Sequence, residues 1–155
     1  MITIMLFFMR GKCISLKWVC YDVTTYIFSV NFIMNRLFFA FAGFFGASGV
    51  ILGSLASHAL NTVLTAHQIE IFKLGIQYQM YHTLALFAVG IWLHFQKSRF
   101  LIMAGWLFIV GIILFSGTLY SITYLSLPIN GAAPIGGFAF IIAWLLVIIA
   151  AFKRN

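Results

Sequence analysis

Gln77-Tyr78-Gln79-Met80-Tyr81-His82 stands just inside the start of an apolar segment that continues as Thr83-Leu84-Ala85-Leu86-Phe87-Ala88-Val89-Gly90-Ile91. In hydrocarbon an unpaired polar group costs free energy, so this run must find partners on neighbouring helices or in a wet cavity. The surrounding chain reads as the scaffold that supplies them. Of the 155 residues 64% are hydrophobic and 7% charged, with a mean hydropathy of +1.11. A soluble domain of that composition would have almost no polar surface, and several apolar runs exceed the roughly 18 residues that cross a bilayer. The fold class expected is therefore an all-α membrane protein with four transmembrane helices in an antiparallel bundle.

The formal net charge is +7. The nine basic residues lie at segment ends rather than along one face, which excludes a nucleic-acid surface and suits membrane topology. With the N-terminus inside, Arg10, Lys12, Lys17, Arg36, Lys97, Arg99, Lys153 and Arg154 are cytoplasmic and Lys73 alone is outside. The positive-inside rule then puts both termini in the cytoplasm. Tyr78, Tyr81, Tyr120 and Tyr124 at the outer ends and Trp92 at the inner end are expected as interfacial anchors.

Outward from the central run, the expected spans are about 37–57, 74–95, 100–124 and 134–152. In the first, Ala42, Gly46, Gly49, Gly53 and Ser57 recur every three or four residues, a ridge of small residues that lets helix backbones approach in lipid. Phe38, Phe41, Phe45 and Leu52 are expected on its other faces. The ridge serves packing inside the monomer or, as the second reading, homodimerisation. Thr65 can cap a helix from Ala66, and 66–73, with Ile69, Phe72 and Ile76 on one side, is expected to lie in the interface before the second span. Pro134 suits the first turn of the fourth helix, with Gly136 and Gly137 beside it. Gly46, Gly49, Gly53, Gly117, Gly136 and Gly137 are the expected helix-packing positions.

Residues 1–33 stand apart. Met1 to Met9 is apolar but too short to span, and Arg10, Lys12 and Lys17 follow it, the reverse of the order in a secretory signal. Cys13 and Cys20 fit no zinc spacing and read as free thiols. Met34-Asn35-Arg36 looks like a natural beginning, so 1–33 is expected to be a dispensable extension and 34–155 the transmembrane domain.

Threaded this way, the polar side chains concentrate in the outer half, while the inner half is Leu, Ile, Phe and Val. The candidate cluster is His58, Gln77, Tyr78, Tyr81, His82, Ser116 and Tyr120. It is either structural hydrogen bonding, with His82 bonded to Tyr78 or serving as a node to a neighbouring helix, or a site for a small molecule, lipid or ion. His58 and His82 make a poor haem or metal pair, because each is the single His of its span end and only Glu70 offers a carboxylate nearby. No Ser-His-Asp set, carboxylate pair or phosphate loop can be assembled, and neither catalysis, cofactor nor metal is expected.

From Met34 onward the chain resembles the YgdD-type family of small bacterial inner-membrane proteins, a domain of unknown function. The resemblance rests on the Gly-rich first span closing in His58-Ala59-Leu60, the run Gln77 to His82, Leu114-Phe115-Ser116-Gly117-Thr118-Leu119-Tyr120, and Pro134-Ile135-Gly136-Gly137. Ala56 and Ser57 stand where that family usually has a Gly and an Ala. The resemblance implies a four-span fold in a bacterial plasma membrane and no established activity. Two functional classes follow: a structural or interaction protein packing with lipids, other membrane proteins or a second copy of itself, and a small transporter or binder using the outer-half cluster.

Overall fold

A computed structural model describes residues 16–124 and 131–153, with side chains from Ile33 onward. The described residues are helical. Helix α1 runs Leu16–His58, α2 runs Ala66–Phe95 and α4 runs Ala132–Phe152. Helix α3, Arg99–Tyr124, consists of two α-helical parts joined by a π-helical segment, Ile112–Ser116. A single 3-10 turn, Leu60–Thr62, lies between α1 and α2. Residues 1–15, including Cys13, and the 125–130 part of the last loop lie outside the described residues.

Two boundaries differ from expectation for local reasons. Helix α1 passes through Met34 without a break, so position 33/34 is not a helix end. Helix α2 begins at Ala66 and absorbs the segment expected to lie flat in the interface. Thr65 and Gln68 form a reciprocal capping box that starts the helix, and nothing between Lys73 and Leu74 breaks the backbone ladder. One face of that first stretch, Ile69 and Phe72, is buried against the bundle.

Among the described residues three stretches are long and apolar enough to cross a membrane: Ile33–Thr62, Arg99–Tyr124 and Ala132–Phe152. Helix α2 is thirty residues long but is not among them. Its polar run and His94 dilute its hydropathy, and its burial shows why that is tolerated. Gln79, His82, Thr83, Ala85, Leu86, Val89, Gly90 and Leu93 are all buried, on a face wide enough to meet more than one neighbour. The first helix packs chiefly on α2, the fourth chiefly on α3, and α2 joins the two pairs through α3.

Among the described side chains, the buried residues of α1 are Asn35, Phe38, Ala42, Phe45, Gly49 and Ala56, of which Asn35, Phe45 and Gly49 meet α2. These alternate by three and four residues, the repeat of left-handed helix packing. The bulky Phe38 and Phe45, expected on other faces, therefore share the buried seam with Ala42 and Gly49. Gly53 lies off it, with no atom within 4 Å of where a Cβ would stand. Large rings set into small residues fill the core: Phe38 lies against Gly105 of α3, and Phe140 of α4 against Gly111. Fully buried Leu86, Leu93, Leu101 and Phe108 complete it.

The end of the bundle opposite the 3-10 turn is stitched by side chains. Asn35 Nδ2 lies 3.2 Å from His94 Nδ1, tying α1 to the end of α2. Trp92 Nε1 donates to Gln96 Oε1 (3.0 Å), and Gln96 Nε2 donates to the carbonyls of Ala150 and Lys153 (3.4 Å each). These bonds hold the tail of α4 against the α2–α3 turn.

Candidate functional site

Gln79 is the centre of the polar cluster, 3% exposed. Its Nε2 donates to the Phe45 carbonyl (2.7 Å) and to Ser48 Oγ (2.9 Å) on α1. Its Oε1 accepts from Tyr120 Oη on α3 at 2.8 Å. Ser48 in turn donates to the Phe45 carbonyl (3.1 Å). Both amide protons and the amide oxygen are thus engaged, and three helices meet at one side chain. The network also fixes the orientation of the amide, because a flipped one would set its oxygen against the Phe45 carbonyl.

Two glycines make this geometry accessible. Gly49 is one turn beyond Phe45, and a Cβ there would stand 2.7 Å from Met80 Sδ and 3.4 Å from Gln79 Nε2. Gly75 is one turn before Gln79, and a Cβ there would meet Tyr120 Cε1 at 2.8 Å. The Tyr120 ring lies on this bare stretch of α2, with Phe72 4.8 Å away between centroids, and so its hydroxyl reaches Gln79. Neither Gln79 nor Gly75 is among the candidate residues read from the sequence. Their signal was present: Gly75 and Gln79, like Phe45 and Gly49, are four apart and share a helix face.

The other candidates separate into three groups. Gln77 and Tyr81 are exposed and bond to each other along α2 (2.7 Å). His58 is exposed at the end of α1 and is not brought to His82. His82 and Tyr78 face α3 and α4. The His82 Nδ1 is 2.8 Å from the Tyr78 carbonyl of its own helix, and since a carbonyl only accepts, Nδ1 is the donor. The imidazole stacks on Phe140, centroids 3.4 Å apart and planes 7° apart, with Phe108 and Trp144 around it. Of the two partners expected for His82, the hydrogen bond goes to Tyr78 and not to a neighbouring helix. The ring reaches α4 by stacking, while its hydrogen bond closes on α2. Tyr78 packs on Phe115 (4.7 Å) and Tyr120 turns inward, so only Tyr81 and Tyr124 of the four tyrosines keep the strongly exposed position of an anchor.

Ser116 is fully buried at the end of the π-helical segment, and its Oγ makes no hydrogen bond. Thr118, Ser121 and Thr123 each donate to a carbonyl of their own helix. At this point the ladder is shifted, the Gly117 N–H reaching back to the Ile112 carbonyl in the π register. The same register brings the α3 backbone close to α4, where a Cβ on Gly136 would stand 2.5 Å from the Phe115 nitrogen. Gly46 is in ordinary contact with Thr83, Gly137 is just within reach of Phe115, and Gly117 has nothing within 4 Å.

Two surface grooves flank the cluster without including Gln79. One of about 840 Å³ lies along the start of α2, lined by Asn61, His67, Glu70, Lys73 and Gln77 among others. The other, about 530 Å³, lies between the ends of α1 and α3 over Phe72 and Tyr120. Among the described residues no three His, Cys, Asp or Glu side chains converge as metal ligands.

A bundle of apolar helices, exposing Phe44, Val50, Ile113, Phe138, Ile141 and Leu145 outward and closing its polar side chains inward, defines an integral membrane protein. The DUF423 family, described as a protein of unknown function, matches residues 52–137, and the chain belongs to it. A Bacillus subtilis relative described as UPF0382 membrane protein YwdK is 40% identical over 105 residues, covering 66% of this chain and 85% of the relative. A Haemophilus influenzae UPF0382 membrane protein is 40% identical over 118 residues, 75% of this chain and 91% of the relative. The Staphylococcus aureus UPF0382 membrane protein SAB0533 is 36% identical over 119 residues, 76% and 97%. No solved structure gives a significant match.

Proposed function

We propose that the protein is a four-span structural or interaction protein of the bacterial plasma membrane, of the YgdD type, with both termini cytoplasmic. In this reading its polar cluster holds the helices together. The observation that carries it is Gln79, whose whole amide is used by α1 and α3. An amide whose two N–H groups and oxygen are all bonded to protein is not free to donate to a transported solute. The fourth span is supported by the position of α2: at about 1.5 Å per residue its thirty residues reach some 45 Å, and it lies between neighbours that cross. Gln79, His82 and Thr83 in the middle of the helix face protein, which offsets part of its modest hydropathy. Orientation is supported by Arg36, Lys97, Arg99 and Lys153 at one end of the bundle against Lys73 at the other.

Substituted-cysteine labelling with a membrane-impermeant maleimide in intact cells tests this reading. A cysteine at Asn61 should label and one at Gln96 should not. The reverse pattern refutes the orientation, and labelling at both or neither refutes a membrane-crossing α2.

A further inference from the structure

At the end of the bundle where α2 turns into α3, two cations share one ring. The Arg99 guanidinium carbon is 5.9 Å from the Phe100 centroid and Lys153 Nζ is 5.0 Å from it. Both side chains are exposed. Gln96 fastens the end of α4 to this turn through the Ala150 and Lys153 carbonyls, so the approach of Lys153 is built into the fold. Two exposed cations around one ring make a locally positive surface to which an anion is attracted. Of the chain's two acidic residues, Glu70 is at the far end of α2 and Asp22 lies on the part of α1 that continues beyond this end.

Two further features give the place a shape. Helix α3 starts here, and its N-cap, Ser98, makes no side-chain capping bond, so first-turn N–H groups beside Arg99 have no side-chain acceptor. Leu107 is two turns beyond Phe100 on α3, and Leu146 is two turns before Lys153 on α4. All three apolar residues are half-buried and pack against the core, and their seven-residue offsets continue the faces of α3 and α4 that carry Phe100 and Lys153 toward the apolar zone. A positive mouth at the polar boundary over these apolar faces matches a molecule with an anionic head and a hydrocarbon tail.

We propose that this is a binding site for an anionic phospholipid. Arg99, Lys153 and the N-terminus of α3 hold the phosphodiester, and an acyl chain lies over Phe100, Leu107 and Leu146. The site deepens the interaction reading by naming a lipid class, yet it is remote from Gln79, so the two stand or fall by separate variants.

The test uses the full chain in a mild neutral detergent, with dioleoyl phosphatidylglycerol, dioleoyl phosphatidylcholine and soluble glycerol phosphate as probes. Native mass spectrometry and thermal unfolding read binding. Phosphatidylglycerol should be retained and raise the melting temperature, while phosphatidylcholine and glycerol phosphate should do neither at equal concentration. Arg99→Gln with Lys153→Gln should weaken phosphatidylglycerol binding about thirtyfold, from the attraction ordinarily contributed by two basic residues at an anionic surface. Unliganded melting should not change, and Lys73→Gln at the opposite end should bind as the parent does. Arg99→Lys with Lys153→Arg, which keeps both charges, should retain most of the binding and guards against a folding defect in the Gln pair. Equal binding of the two lipids, full binding by the Gln pair, or equal stabilisation by glycerol phosphate alone overturns the proposal.

Discussion

Replacing Gln79 with Leu removes the one side chain bonded to both α1 and α3. Three hydrogen bonds disappear: two donated to Phe45 O and Ser48 Oγ and one accepted from Tyr120 Oη. Hydrogen bonds between transmembrane helices average about 0.6 kcal/mol, so their direct loss comes to about 2 kcal/mol. The partners left behind are not equally harmed. The Phe45 carbonyl keeps the Ser48 hydroxyl, whereas the Tyr120 hydroxyl loses its acceptor. Tyr120 is only half-buried and borders a surface groove, so its hydroxyl adds little and Gln79→Leu should destabilise by roughly 2 kcal/mol. Tyr120→Phe removes one bond and should cost about 1 kcal/mol. In the Gln79→Leu background that same change should cost about 0.6 kcal/mol less, the coupling expected of one shared bond. Gln77→Leu is the control: its only partner is Tyr81 on the same exposed face, and it should stay within about 0.5 kcal/mol of the parent. Equilibrium unfolding by dodecyl sulfate titration in mixed micelles measures all four. A Gln79→Leu protein as stable as the parent, or more so, would mean that the amide is held in readiness for a ligand, and the structural reading would be wrong.

Three further outcomes follow from the same contacts. Gly136→Ala should cost about 1–3 kcal/mol, because its Cβ meets the Phe115 backbone, while Gly53→Ala, with open space around it, should be neutral in the same unfolding assay. His82→Ala should lose the ring stack on Phe140, worth about 0.5–1.5 kcal/mol, and His82→Phe should recover it where His82→Gln does not. This order, read by thermal unfolding, would reverse if a hydrogen bond were the main contribution of His82. Reporter fusions should place residue 155 and the 96–99 turn inside the cell, and a periplasmic C-terminus would contradict the proposed threading.

By itself the sequence determined the membrane class, because a chain 64% hydrophobic and 7% charged has too little polar surface to face water. It also determined that the apolar runs would be helical, since a bilayer-length apolar run allows few structures other than a helix. The Thr65 cap was legible because capping is local, needing only Thr65 and Gln68 three residues apart. What escaped it was relational. Gly53 and Gly49 belong to the same small-residue ridge on paper, but only the seam that alternates by three and four is buried, and that phase is set by the partner helices. His82 was a candidate for the node because its ring can donate and accept, whereas the fold spends it on Phe140 and on a carbonyl of its own helix. Gln79 became the node instead because Gly49 and Gly75, on two different helices, leave room for a backbone carbonyl and a tyrosine to reach it. Hydrogen-bonding capacity belongs to a residue and can be read from its name. Which groups come within 3 Å of it depends on how helices far apart in the chain are set against one another, and only the tertiary structure decided that.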